Sequence, residues 1–62
     1  MKYSELEKKL KKNGCYLKRN GKRHPIWFSP KTNKPFAMSY HKTEEVKKGT
    51  LNSILKDAGF KL

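Results

Sequence analysis

Carboxylates are what this sequence has least of. Five Asp and Glu stand against sixteen Lys and Arg, a formal net charge of +11. No acid falls between Glu7 and Glu44, so no paired-carboxylate site can be built from the middle of the chain. The same gap leaves Lys8, Lys9, Lys11, Lys12, Lys18, Arg19, Lys22, Arg23, Lys31, Lys34 and Lys42 unopposed in sequence. A domain this one-sided attracts polyanions and steers them diffusionally. Nucleic acid is the first class of partner implied, an acidic protein the second and an anionic membrane the third.

Cysteine is nearly absent. One residue, Cys15, cannot form an internal disulfide, and no Cys/His cluster has zinc-ligand spacing. The N-terminal residues carry no apolar signal region, and the lone thiol suits a reducing compartment, so a cytoplasmic protein is expected. Long apolar runs are missing as well. None approaches the roughly 20 residues that span a bilayer. Hydrophobic residues make up only 34% of the 62 positions. A chain of this length buries only about 60% of its unfolded surface, which implies one domain over residues 1–62 with an economical core. Seven aromatics (one Trp, three Tyr, three Phe) supply large buried areas per residue.

What is present is strongly patterned. Ser4 to Asn13 reads as a helix opened by a Ser4–Glu7 capping box, with Leu6 and Leu10 on its buried stripe and Gly14 as terminator. Glu5 and Glu7 suit the positive end of the helix dipole, and Lys8 to Lys12 the negative end. Cys15 to Arg19 alternates as a strand, with Cys15 and Leu17 on one side and Tyr16 and Lys18 on the other. Asn20-Gly21 is a hairpin signal, because both residues tolerate positive φ. Pro25 favours a strand start or an edge, and Ile26 to Phe28 continue as strand two. Ser29 to Pro35 reads as a polar loop, Phe36 to Tyr40 as strand three, and His41 to Val46 as a connection. Leu51, Ile54, Leu55 and Ala58 follow the i, i+3, i+4, i+7 spacing of a core-facing helix from Lys48–Thr50 to Ala58, capped by Gly59. The expected architecture is α+β: a two-layer α-β-β-β-α domain with both helices on one face of a three-stranded antiparallel sheet.

The chemistry-bearing stretch is Arg19-Asn20-Gly21-Lys22-Arg23-His24-Pro25. A histidine among phosphate-binding cations is apt for RNA cleavage, because RNA carries its own nucleophile in the 2′-OH. The protein then needs one acid–base group, His24, and cations to stabilise the phosphorane. General acid–base catalysis of this kind contributes roughly 10²–10⁴-fold, and one electrostatic stabiliser on the order of 10²–10³. Lys22, Arg23 and Arg19 are the phosphate-binding candidates. Lys47 and Lys48, near the start of the second helix, add a backbone and helix-dipole anion site. His41, at the end of strand three, is a weaker candidate that reads as a hydrogen-bonding group for the connection. Cys15 reads as a small buried hydrophobe rather than a nucleophile.

Three segments together resemble the HicA-type mRNA interferase toxins of type II toxin–antitoxin pairs. They are Met1-Lys2-Tyr3-Ser4-Glu5-Leu6 with Leu10-Lys11-Lys12-Asn13-Gly14, the Gly21-Lys22-Arg23-His24 turn, and Lys48-Gly49-Thr50-Leu51-Asn52-Ser53-Ile54-Leu55-Lys56-Asp57-Ala58-Gly59. The resemblance spans essentially the whole chain, and the last segment is its most specific part. It implies a double-stranded-RNA-binding-domain-like fold, ribosome-independent mRNA cleavage, and a HicB-type antitoxin that covers the active site. It implies neither a cofactor nor a metal. The family's catalytic histidine follows a glycine by three positions, commonly as Gly-Ser-X-His, which falls on His24. Lys22 stands where serine is usual, and Pro25 follows the histidine directly. A non-catalytic RNA-binding module of the same fold is the alternative, since a charge of +11 explains affinity without chemistry.

Overall fold

The structure, a computed structural model, describes residues 1–62. Helix α1 spans Tyr3–Lys12, strands β1, β2 and β3 span Tyr16–Asn20, Pro25–Ser29 and Lys34–Ala37, and helix α2 spans Lys48–Ala58. The sheet is antiparallel in the order β1-β2-β3. This is the α-β-β-β-α order expected from periodicity.

Strand β2 shows how the layers are made. Pro25, Trp27 and Ser29 are buried while Ile26 and Phe28 are half-buried, so alternate residues face the helices. Cross-strand partners share a face, which puts Phe36, the partner of Trp27, in the core beside it. Leu6 and Leu10 of α1, Ile54 and Ala58 of α2, and Met38 and Val46 complete that core with Tyr3 and Cys15. Helix α1 lies towards β1: Glu7 shares a recess with Leu17, Asn20, Pro25 and Trp27. Helix α2 lies along β3, with Gly49 and Thr50 near Ala37 at one end and Asp57 near the β2–β3 turn at the other.

The Asn20-Gly21 pair does not form the two-residue turn its sequence suggests. Asn20 stays in β1 and pairs with Pro25, and residues 21–24 form the connection. Neither Asn20 nor Gly21 has positive φ. A two-residue turn at 20–21 would set Arg19 opposite Lys22 and Lys18 opposite Arg23, and like charges directly opposed are destabilising. The observed register instead matches Leu17 with Trp27 and Tyr16 with Phe28. Hydrophobic pairing outweighs turn propensity here. A bulge between Leu17 and Arg19 takes up the extra residue, Lys18. Glycine is still required at 21, where a Cβ would run into the His24 carbonyl oxygen.

Other boundaries move for similar reasons. Helix α1 is capped two residues earlier than Ser4–Glu7 implies: Lys2 is the N-cap, and its N–H donates to Glu5 Oε1 (3.2 Å). The N–H groups of Tyr3 and Ser4 donate to the carbonyls of Glu44 and Lys42. Glu7 is left to pair with Lys11 (3.3 Å) and Lys42 (3.4 Å). Cys15 is buried but precedes β1, and Leu17 points to the helix side yet remains 46% exposed at the sheet edge. Strand β3 ends at Ala37, three residues short of Tyr40, and the loop expected over 29–35 shrinks to 30–33, where Asn33 takes a left-handed φ of 58°. Helix α2 and its Gly59 cap (φ 83°) fall as the spacing predicts.

Candidate functional site: the basic β1–β2 loop

The β1–β2 connection presents Lys22, Arg23 and His24 together, all three exposed. His24 is the last loop residue before Pro25, whose fixed φ and buried ring anchor the chain as it enters β2. Two contacts hold the loop's other end. Gly21 packs its backbone against the His24 carbonyl, and Tyr40 Oη donates to the Gly21 carbonyl (2.7 Å). Tyr40 lies in the segment after β3, so this tether brings together residues nineteen apart in sequence.

The remaining candidates distribute around this end of the sheet. Arg19, exposed, pairs across strands with Ile26 on the face away from the helices. Lys47 is the N-cap of α2 and Lys48 its first residue; both are exposed. The start of α2 lies beside Ala37, the partner of Ile26, and therefore at the same end of the sheet as the loop. Its first turn contains no acid and its N-cap has no side-chain hydrogen bond. Strands and helix thus bring six sequence candidates, Arg19, Lys22, Arg23, His24, Lys47 and Lys48, to one end of the molecule. They do not form an enclosed pocket. No side-chain hydrogen bond orients the His24 ring.

His41 is not part of the cluster. Its backbone N–H donates to Ser39 Oγ (3.0 Å) and its carbonyl accepts from the Glu44 N–H (3.1 Å), so its ring does not make the expected hydrogen bond to the connection. Cys15 is buried and free, as a small core residue. Sequence reasoning missed Tyr40, which reads as a strand residue by composition. Only its position just past a short third strand could have marked it. No three His, Cys, Asp or Glu side chains converge, and no helix is long and apolar enough to cross a membrane.

This small two-layer α+β protein concentrates cations and an exposed histidine on a tethered loop, a charge arrangement that attracts polyanions. Residues 3–60 match the family model for the HicA toxin of bacterial toxin–antitoxin systems, and the chain belongs to that family. It is therefore the toxin of a toxin–antitoxin pair, and a cognate antitoxin is its implied partner. Neither the curated proteins nor the solved structures yield a match.

Proposed function

We propose that this toxin is an endoribonuclease acting on mRNA, with His24 as its acid–base group and the RNA 2′-OH as nucleophile. The observation that carries the reading is the placement of His24: exposed, flanked by Lys22 and Arg23, on a loop tethered by Tyr40. His24 takes the 2′-OH proton as the O2′–P bond forms. Lys22, Arg23 and Arg19 offset the charge of the phosphorane. The imidazolium then returns its proton to the 5′ oxygen as the P–O5′ bond breaks, leaving a 2′,3′-cyclic phosphate and a 5′-OH. Lys47 and Lys48 hold an adjoining phosphate at the dipole-positive end of α2. A HicB-type antitoxin neutralises the toxin by covering this end. The chemistry draws its nucleophile from the substrate and calls for no resident metal.

The test is cleavage of a structured mRNA in EDTA by the native chain and by His24→Ala of verified fold. The expected result is fragments from the native chain, with the rate reduced on the order of 10²–10⁴-fold by the substitution. A matched 2′-deoxy substrate should survive intact. Equal cleavage by both proteins, or cleavage of the deoxy substrate, would refute the assignment. The second reading, a binding module without catalysis, is favoured by one observation: nothing hydrogen-bonds the His24 ring to fix its orientation. It predicts that His24→Ala preserves both RNA affinity and the cellular effect.

A further inference from the structure

The sheet face turned away from the helices has no covering element, and its chemistry is uniform. Cross-strand pairing places Tyr16, Phe28 and Pro35 in one row and Arg19, Ile26 and Ala37 in the next. The bulge adds Lys18, whose Nζ lies 5.0 Å from the centre of the Phe28 ring. Tyr16 is 49% exposed and Phe28 half-buried, and their rings stand 5.8 Å apart at an interplanar angle of 50°. No carboxylate belongs to any of the three strands.

From this arrangement we infer that the open sheet face is a docking strip for single-stranded RNA, with Tyr16 and Phe28 stacking bases and Lys18 and Arg19 holding the phosphates beside them. The inference rests on the ribonuclease reading and names the form of substrate that the loop receives. Three features favour this occupant. Both cations on the face complement a polyanion, and no acid opposes one. The rings offer π-faces that accept any base, as a sequence-tolerant binder requires. The strip also leads directly to the loop: Phe28 lies four residues beyond His24 on an extended strand, about 13 Å away.

The tilted pair and Lys18 also serve the free protein as a cross-strand aromatic contact with a cation over it. That arrangement is not a barrier to binding. An exposed cation–π contact is weaker than a base stack, so the ammonium yields its place over Phe28 and remains beside the incoming nucleotide's phosphate. In a duplex the bases are already stacked on one another, and the strip has nothing to offer them.

The experiment measures affinity by fluorescence anisotropy in the His24→Ala background, so that the probe is not cut. The probes are a labelled mixed-sequence RNA 12-mer, the same strand with two adjacent abasic positions, and its duplex. Tyr16→Ala together with Phe28→Leu removes both π-faces; leucine keeps the half-buried position apolar, and Tyr16→Ala alone serves if the pair does not fold. Loss of one or two stacks should weaken single-strand binding by roughly 5- to 150-fold per base. The slope of log affinity against log salt should be unchanged, because the phosphate contacts persist. Abasic sites should weaken the Tyr16/Phe28-intact protein and leave the double variant nearly unaffected. Equal single-strand affinity with and without the rings, or a duplex bound as tightly as the single strand, overturns the strip while the cleavage assay still stands on its own. If the ring substitutions impair antitoxin binding and leave RNA binding untouched, the face belongs to the protein partner and the inference is overturned. If no probe binds and native protein cleaves nothing, the ribonuclease reading falls and the strip falls with it.

Discussion

Replacing Tyr40 with phenylalanine isolates the tether on the histidine loop. The substitution keeps the ring and deletes one hydroxyl, the group that donates to the Gly21 carbonyl at 2.7 Å. Tyr40 is 45% exposed, so water can take the hydroxyl's place on that carbonyl, and the net loss sits at the lower end for neutral hydrogen bonds, about 0.5–1 kcal/mol. That energy corresponds to a roughly 2- to 5-fold shift towards a released loop. In a domain of this size it also lowers Tm by about 2–8 °C. The same Tyr→Phe change at Tyr16, whose hydroxyl makes no hydrogen bond within the chain, is the control. Hydrogen exchange should quicken at the loop amides of 21–24 in Tyr40→Phe and not in Tyr16→Phe. If the proposed chemistry holds, kcat should fall by up to about 5-fold in the first variant alone, the full factor applying where the released loop already dominates, since a misdirected loop loses turnover before it loses phosphate affinity. Identical exchange and Tm for the two variants would refute the tether. Faster exchange with unchanged kcat would show that loop order does not limit catalysis.

Three further outcomes follow from the same structure. Ser29 is fully buried and its Oγ donates to the Ala58 carbonyl at 2.7 Å, so Ser29→Ala strands a helix-terminal acceptor at a cost of about 1–3 kcal/mol. Thermal melts should drop by roughly 5–20 °C, and a drop under about 2 °C would mean that water replaces the hydroxyl. Gly59→Ala combines a left-handed φ of 83° with a Cβ that collides with Thr32 Cγ2, so it should cost more than the roughly 1–2 kcal/mol of the backbone conformation alone. Denaturant midpoints compared with Gly49→Ala, where the Cβ meets nothing, would check this. The Met1 ammonium donates to Glu45 Oε2 (2.8 Å), and this hydrogen bond raises the amine's pKa and lowers that of the carboxyl. The Glu45 contribution to stability is complete above its unfolded pKa and is lost as pH falls through the lowered folded value. The amine's contribution is complete below its unfolded pKa and is lost as pH rises through the raised folded value. Both groups are solvent-exposed, so the measurement is an NMR titration: Glu45→Gln should return the amine to its ordinary range, and an unmoved amine would contradict the pairing.

The parts of this molecule that were legible in its sequence are those fixed by local physics. The 3.6-residue stripe of Leu51, Ile54, Leu55 and Ala58 and the terminating Gly59 give α2 without reference to the rest of the chain. The carboxyl end of α2 shows where local reading stops. Its last carbonyls are taken by the hydroxyls of Ser29 and Thr32, residues 29 and 25 positions away, which no capping rule searches for. The first cap failed for the same reason, because the N–H groups of Tyr3 and Ser4 find the carbonyls of Glu44 and Lys42.

The candidate site was legible as composition but not as geometry. Lys22, Arg23 and His24 are visible as a basic histidine cluster, yet the turn signal beside them would have drawn them into a strand opposite Lys18, Arg19 and Leu17. The register that buries Trp27 against Phe36 and sets Tyr16 beside Phe28 decides otherwise. It keeps Asn20 and Pro25 paired, releases residues 21–24 from the ladder, and forces the bulge that carries Lys18 onto the open face. One choice made by apolar side chains thus frees the histidine, exposes its cations and assembles the aromatic strip leading to it. A substitution that restored the two-residue turn would remove all three together. Deleting Arg23 and His24 instead keeps Asn20 opposite Pro25 and the strip in register while removing one phosphate-binding cation with the histidine, so it is expected to weaken RNA binding as well as abolish cleavage, whereas His24→Ala should cost cleavage alone.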